Sequence, residues 1–116
     1  AFSSGALDPA FMGLGPIPAV RKLLQKETLS VNDFGAVEHN EAFAAQPIAW
    51  LRELNFDMDK TNILGSWITI GHPIGCTGAR IVLTLMGEMV RKDHDLGLAT
   101  LCIGGGQGMA TVLEKV

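Results

Sequence analysis

The sequence predicts an α/β domain: a mixed sheet with helices on its faces, ending in an antiparallel hairpin. Three observations predict it. Short apolar runs of strand length alternate with longer stretches of helical spacing. The last such pair of runs flanks the glycine cluster Gly104-Gly105-Gly106-Gln107-Gly108, as a hairpin would. The 116 residues are 47% hydrophobic and 18% charged, a globular and not a disordered balance.

The elements follow in order. Ala1-Phe2-Ser3-Ser4-Gly5 reads as the end of a strand, and Asp8-Pro9 as the turn after it. Pro16 or Pro18 suits the first turn of a helix, where a missing N–H costs nothing. Ala19, Val20, Leu23 and Leu24 then form a stripe ending near Lys26. Phe34 to His39 is a short buried strand, and Asn40 marks its passage to a helix from about Phe43 to Leu54. Pro47 is tolerable there only in the first turn, because those N–H groups have no intrahelical partner. Asn62-Ile63-Leu64 is expected to be extended, leading through Gly65-Ser66-Trp67 to Gly71-His72-Pro73. From about Thr77 to Arg91 a helix presents Ile81, Val82, Leu85, Met86 and Met89. Leu98 to Ile103 and Met109 to Glu114 are the hairpin strands.

Composition excludes some function classes. A net charge of −3 without any Lys/Arg run argues against a nucleic-acid or acidic-membrane surface. No apolar stretch reaches the roughly 18 residues of a membrane span. Two cysteines, Cys76 and Cys102, are too few for a disulfide framework or a zinc site. A reducing compartment, the cytoplasm, is the expected location.

Four positions carry candidate chemistry. His72, between Gly71 and Pro73, sits on a stiffened loop before a glycine-rich helix start. It is either a capping or surface histidine, or a general base or oxyanion donor. Cys102 closes an apolar strand. It is either a small packed hydrophobe or a reactive thiol beside glycine N–H groups that could form an oxyanion hole. Asn40 is either a turn residue or an amide that orients a water or a substrate oxygen. Its neighbour Glu41 caps the helix or holds the loop. Cys76, at a helix start that lowers a thiol pKa, is expected to pack. His39 and His94 look ordinary, His94 solvated in a charged segment. The Gly104–Gly108 cluster is not a dinucleotide fingerprint, because strand-type residues and not a helix follow it.

Taken together, three blocks resemble the C-terminal domain of the thiolase family. They are Asn40-Glu41-Ala42-Phe43-Ala44, then Gly71-His72-Pro73-Ile74-Gly75 with Gly78-Ala79-Arg80, then Cys102-Ile103-Gly104-Gly105-Gly106-Gln107-Gly108. Met12-Gly13-Leu14-Gly15-Pro16 fits as well, and Asn40, His72 and Cys102 stand 32 and 30 positions apart. The likeness covers essentially the whole chain.

The resemblance implies roles. His72 would activate a nucleophilic cysteine and help bind the thioester oxygen. Cys102 would move the proton at the α-carbon of the second substrate. Asn40 would hold a water in one oxyanion hole, and the N–H of Gly104 would help form the other. Met12 and Phe43 would line the acyl pocket. The implied reaction is reversible Claisen condensation and thiolysis of 3-ketoacyl-CoA, acetoacetyl-CoA foremost. Acyl-CoA and CoA would be substrates, with no cofactor and no metal. The parent protein would be a homodimer or homotetramer.

The family's nucleophilic cysteine and its CoA-binding loop domain lie outside residues 1–116, and Cys76 does not match that nucleophile. This piece alone is therefore expected to be inactive. It is also expected to begin past the domain's first strand, leaving out a central one, and so to expose apolar sheet and self-associate. Ser66-Trp67 replaces the small, glycine-rich pair usual before the Gly-His-Pro block. That departure motivates a second reading, a diverged acyl-CoA-binding protein or assembly subunit without catalysis. A ketosynthase, with two histidines and a cysteine, fits the Cys102 block poorly.

Overall fold

A computed structural model describes all 116 residues. Four strands form one sheet: β1 (Phe2–Ala6), β2 (Ala36–His39), β3 (Leu96–Cys102) and β4 (Gln107–Glu114). Their order is β1-β4-β3-β2. The β3–β4 hairpin is antiparallel, as its glycine loop predicts, and β1 adds antiparallel to β4. β2 pairs parallel with β3, matching His39 to Thr100. The sheet is therefore mixed.

Four helices complete the domain: α1 (Pro16–Glu27), α2 (Ala45–Leu54), α3 (Trp67–Ile70) and α4 (Thr77–Lys92). Pro16 opens α1, and Pro47 falls within the first turn of α2, where neither removes a helical hydrogen bond. Helix α1 covers one face of the sheet. Val20 and Leu23 pack there with Phe34, Trp50 and Leu98. Helix α4 covers the other face, with Ile81, Leu85 and Met89 against Ala36 and Ala99.

α1 lies unusually close to β4. A Cβ on Gly108 would stand 2.2 Å from the carbonyl oxygen of Gly15. That approach, possible only for glycine, seats the 3-10 turn Pro9–Leu14, and with it Met12, beside the hairpin.

Several expectations are corrected. The strands pair without a break, so no gap opens in the sheet's centre, although α4 covers only β2 and β3 and leaves that face of β1 open. Phe2–Ala6 is a five-residue strand at the sheet's edge. Apolar surface stays exposed at Phe2 on the edge strand, at Ile68, Ile70 and Ile74 around the α3–α4 connection, and on α4, where Leu83 and Val90 are 71% and 78% exposed. Residues 62–64 are not extended. Asn62 is left-handed at φ 52° and starts a turn, and only Thr61 bridges to β2, at Val37. The α2 helix begins at Ala45, two residues after Phe43. Cys76 is exposed at the start of α4 and does not pack. His94 is half-buried, its ring against Gly35.

Candidate active site

The parallel strands β2 and β3 end side by side, and the start of α4 faces the same end. In α/β folds the carboxyl ends of parallel strands are where sites form. Here β2 delivers Asn40 and β3 delivers Cys102. A cavity of about 650 Å³ opens at this end. Met12, Phe43, Trp67, His72, Thr77 and Cys102 are among its lining residues. The fold thus gathers four of the sequence-predicted residues around one space, from elements far apart in the chain. Asn40 and Gly104 stand outside the lining.

His72 is placed by its neighbours. Helix α3 is a single turn, closed by Gly71 at φ 91°, whose N–H donates to the Trp67 carbonyl at 2.7 Å. A side chain at that φ would be strained, so glycine lets the chain reverse into His72. The Pro73 carbonyl then accepts from the N–H groups of Cys76 and Thr77, which starts α4. The Thr77 hydroxyl donates to that same carbonyl at 3.1 Å and meets His72 Nδ1 at 2.5 Å. When the Thr77 proton goes to Pro73, the hydroxyl oxygen accepts from an Nδ1–H of His72. In that tautomer Nε2 is the nitrogen free to accept a proton.

Cys102 is half-buried and unpaired. Beyond it the chain turns through Gly105 and Gly106, both at positive φ. The N–H of Gly104 donates to no group of the chain, and nothing lies within 4 Å of where its Cβ would be. It is an uncrowded backbone donor two residues past a thiol.

Asn40 is fully buried. Its N–H donates to the Thr100 carbonyl at 3.0 Å, extending the β2–β3 ladder. Its side-chain oxygen accepts from Arg80 Nη2 at 3.4 Å, and its Nδ2 has no partner in the chain. A guanidinium has only donors, so Arg80 fixes which end of the amide is the oxygen and leaves Nδ2 as the free donor.

Arg80 organises a buried polar cluster. Its guanidinium also reaches Ser66 Oγ at 3.2 Å and Glu38 Oε2 at 3.5 Å, and Ser66 donates to the His39 carbonyl at 3.0 Å. Burial pushes the Glu38 carboxyl up to about 7. Arg80 opposes this in part, and the Glu41 and Glu88 carboxylates add to it. Glu41 holds the loop, accepting from Asn62 Nδ2 at 3.0 Å and from the Ile68 N–H at 3.2 Å.

His39 is not ordinary. It is fully buried, with neither ring nitrogen hydrogen-bonded, and it stacks on Trp50 at 4.7 Å between centroids. Burial holds it neutral, its pKa down to about 3.

Sequence reasoning singled out neither the Glu38–Arg80–Ser66 cluster nor Thr77. Arg80 was visible only as a member of the Gly78-Ala79-Arg80 block. Its partners lie up to 42 positions away, with no local signal.

The chain is similar to known proteins along nearly its whole length. The family model for the thiolase C-terminal domain matches residues 1–115. The chain is 52% identical over 115 residues to an acetyl-CoA acetyltransferase of Escherichia coli, covering 99% of this chain and 29% of that protein. It is also 52% identical over 112 residues to a 3-ketoacyl-CoA thiolase of Photorhabdus laumondii, again 29% of its length. The crystal structure of the Bacillus anthracis acetyl-CoA acetyltransferase superposes with a TM-score of 0.96 at 48% identity, over 99% of this chain and 29% of that one. Human mitochondrial 3-ketoacyl-CoA thiolase gives the same TM-score at 42% identity, with the same coverage. The chain spans under a third of the length of these relatives.

Proposed function

We propose, for a chain that belongs to the thiolase family by its C-terminal domain, that the full-length protein is an acyl-CoA C-acyltransferase. It would catalyse the reversible condensation and thiolysis of 3-ketoacyl-CoA, with acetoacetyl-CoA the foremost substrate. The observation that carries this reading is the single cavity shared by His72 and Cys102, with the free Gly104 N–H just beyond the thiol.

In thiolysis, a cysteine supplied by the rest of the protein attacks the C3 carbonyl of the substrate. The Nε2 of His72 takes that thiol's proton and then, as N–H, donates to the oxygen of the tetrahedral intermediate. The C2–C3 bond breaks, leaving the acyl group on the enzyme and an acetyl-CoA enolate. Cys102 gives its proton to the enolate carbon. Incoming CoA gives up its thiol proton as its sulfur takes the acyl group; that proton returns to the Cys102 thiolate, and the released nucleophilic cysteine regains the proton held by His72, so both cysteines are restored. The Gly104 N–H and the Nδ2 of Asn40, the latter through a water, supply donors for the oxyanions. Met12 and Phe43 line the acyl side. No helix is long and apolar enough to cross a membrane. Two unpaired thiols suit the cytoplasm, and a homodimer or homotetramer is the assembly we place there.

The test is acetoacetyl-CoA thiolysis by the full-length protein. Turnover supports the reading. A folded protein that binds acyl-CoA yet turns over neither acetoacetyl-CoA nor longer 3-ketoacyl-CoA would sink it, in favour of the binding-protein reading that Ser66-Trp67 motivates.

Thr77 gives a finer check. Thr77→Val keeps the shape but removes the oxygen that holds His72 Nδ1. We expect kcat to fall about ten- to a hundredfold, the scale of losing the group that orients a catalytic imidazole. Thr77→Ser keeps the hydroxyl and should stay within a few-fold of the original. Equal losses in both variants would mean that Thr77 only packs.

A further inference from the structure

We infer that Trp67 is a specificity-determining residue that closes the acyl side of the cavity and confines the protein to short 3-ketoacyl thioesters. The inference rests on the thiolase reading and deepens it.

Trp67 lines the cavity with its ring against both His72 and Phe43, two other residues of the wall. Its ring is 4.6 Å from the His72 ring, tilted at 58°, and 6.2 Å from the Phe43 ring, edge-on at 68°. His72 addresses the reacting carbonyl, and Phe43 lines the acyl side. A chain that runs from one toward the other meets the indole.

The indole is also held in place. Ser66, directly before it, is fully buried. The Ser66 hydroxyl donates to the His39 carbonyl and accepts from Arg80. The Trp67 carbonyl in turn accepts from Gly71, closing the turn of α3. Moving the ring aside would mean breaking its backbone turn or losing the contacts with Phe43 and His72. An aromatic ring has only two side-chain torsions and buries a large area, so it makes a stiff wall.

The wall discriminates by size. One methylene too many in an apolar pocket costs about 10- to 200-fold in kcat/KM. A rigid indole takes the room of several methylenes, so acyl chains well beyond four carbons should be excluded.

The experiment compares kcat/KM for thiolysis of acetoacetyl-CoA and 3-ketooctanoyl-CoA by the full-length protein, by Trp67→Ala and by Trp67→Phe. The native protein should favour the four-carbon substrate. Trp67→Ala should move the ratio toward the eight-carbon substrate by at least about tenfold. Trp67→Phe, which keeps a smaller ring and guards against a misfolded alanine variant, should fall between. Native activity with the same ratio in both variants overturns this inference and leaves the thiolase reading standing. Equal native turnover of the two substrates overturns it as well. Native inactivity toward both, in a folded protein, overturns the thiolase reading and this inference with it.

Discussion

His72→Ala and Cys102→Ala in the full-length protein should each lower acetoacetyl-CoA thiolysis by about a thousandfold or more. The scale follows from what each would remove. A positioned general acid or base contributes about 10²- to 10⁴-fold, and one oxyanion donor about 10²- to 10³-fold. His72 would serve in both capacities, at the nucleophile and at the oxygen. The two variants should fail differently. On the proposed roles, Cys102 would be needed only where a carbon–carbon bond is made or broken. Cys102→Ala should therefore keep exchange of labelled CoA into acetyl-CoA, which runs through the acyl-enzyme alone, while losing thiolysis. His72→Ala should lose both. Exchange lost in Cys102→Ala and kept in His72→Ala would reverse the assigned roles. Full thiolysis in His72→Ala would remove the basis for the site.

Much of this site could be read from the sequence because its shape is written in glycine and proline. Gly71, Gly105 and Gly106 take up a positive φ that favours glycine, Pro73 stiffens its turn, and the chemistry-bearing side chains sit beside them. The strands and the long helix were readable for the usual reason, a regular apolar pattern. The segment between Asn62 and Ile70 was not. Its turn is set by the Asn62 side chain, which bonds the His39 N–H and carbonyl 23 positions away, and a pattern of neighbours holds no trace of that. Helix α3 is one turn, too short for any periodicity. Trp67 was visible as a departure, but its contact with His72 and Phe43 depends on that unreadable turn. His39 looked plain because burial, and not identity, makes it unusual. Asn62 and His39 show the same limit: a polar group's meaning lies in what the fold brings to it.

Glu38 and His39 are adjacent, both buried, and shifted in ways that oppose each other in stability. The carboxyl of Glu38 titrates near 7 in the folded chain against 4.5 ordinarily. Between those values the folded state holds a proton that the unfolded state has released, so stability falls as pH rises. His39 titrates near 3 against 6.5. Between those values the unfolded state holds the extra proton, so stability rises with pH. Each slope approaches about 1.4 kcal/mol per pH unit. Between pH 4.5 and 6.5 the two overlap and nearly cancel. Removing one should expose the other. His39→Phe keeps a flat ring against Trp50 and discards two nitrogens that bond to nothing. With only Glu38 left to titrate, its melting temperature should decline steadily from pH 4.5 to 7, while the native profile stays nearly flat up to pH 6.5. Glu38→Gln should do the reverse: with only His39 left to titrate, its melting temperature should climb up to pH 6.5 and then level off. Melting temperatures of the three full-length proteins across this range decide it. Three parallel profiles would mean that neither group titrates as its burial requires, and that water reaches the floor of the site beneath Asn40.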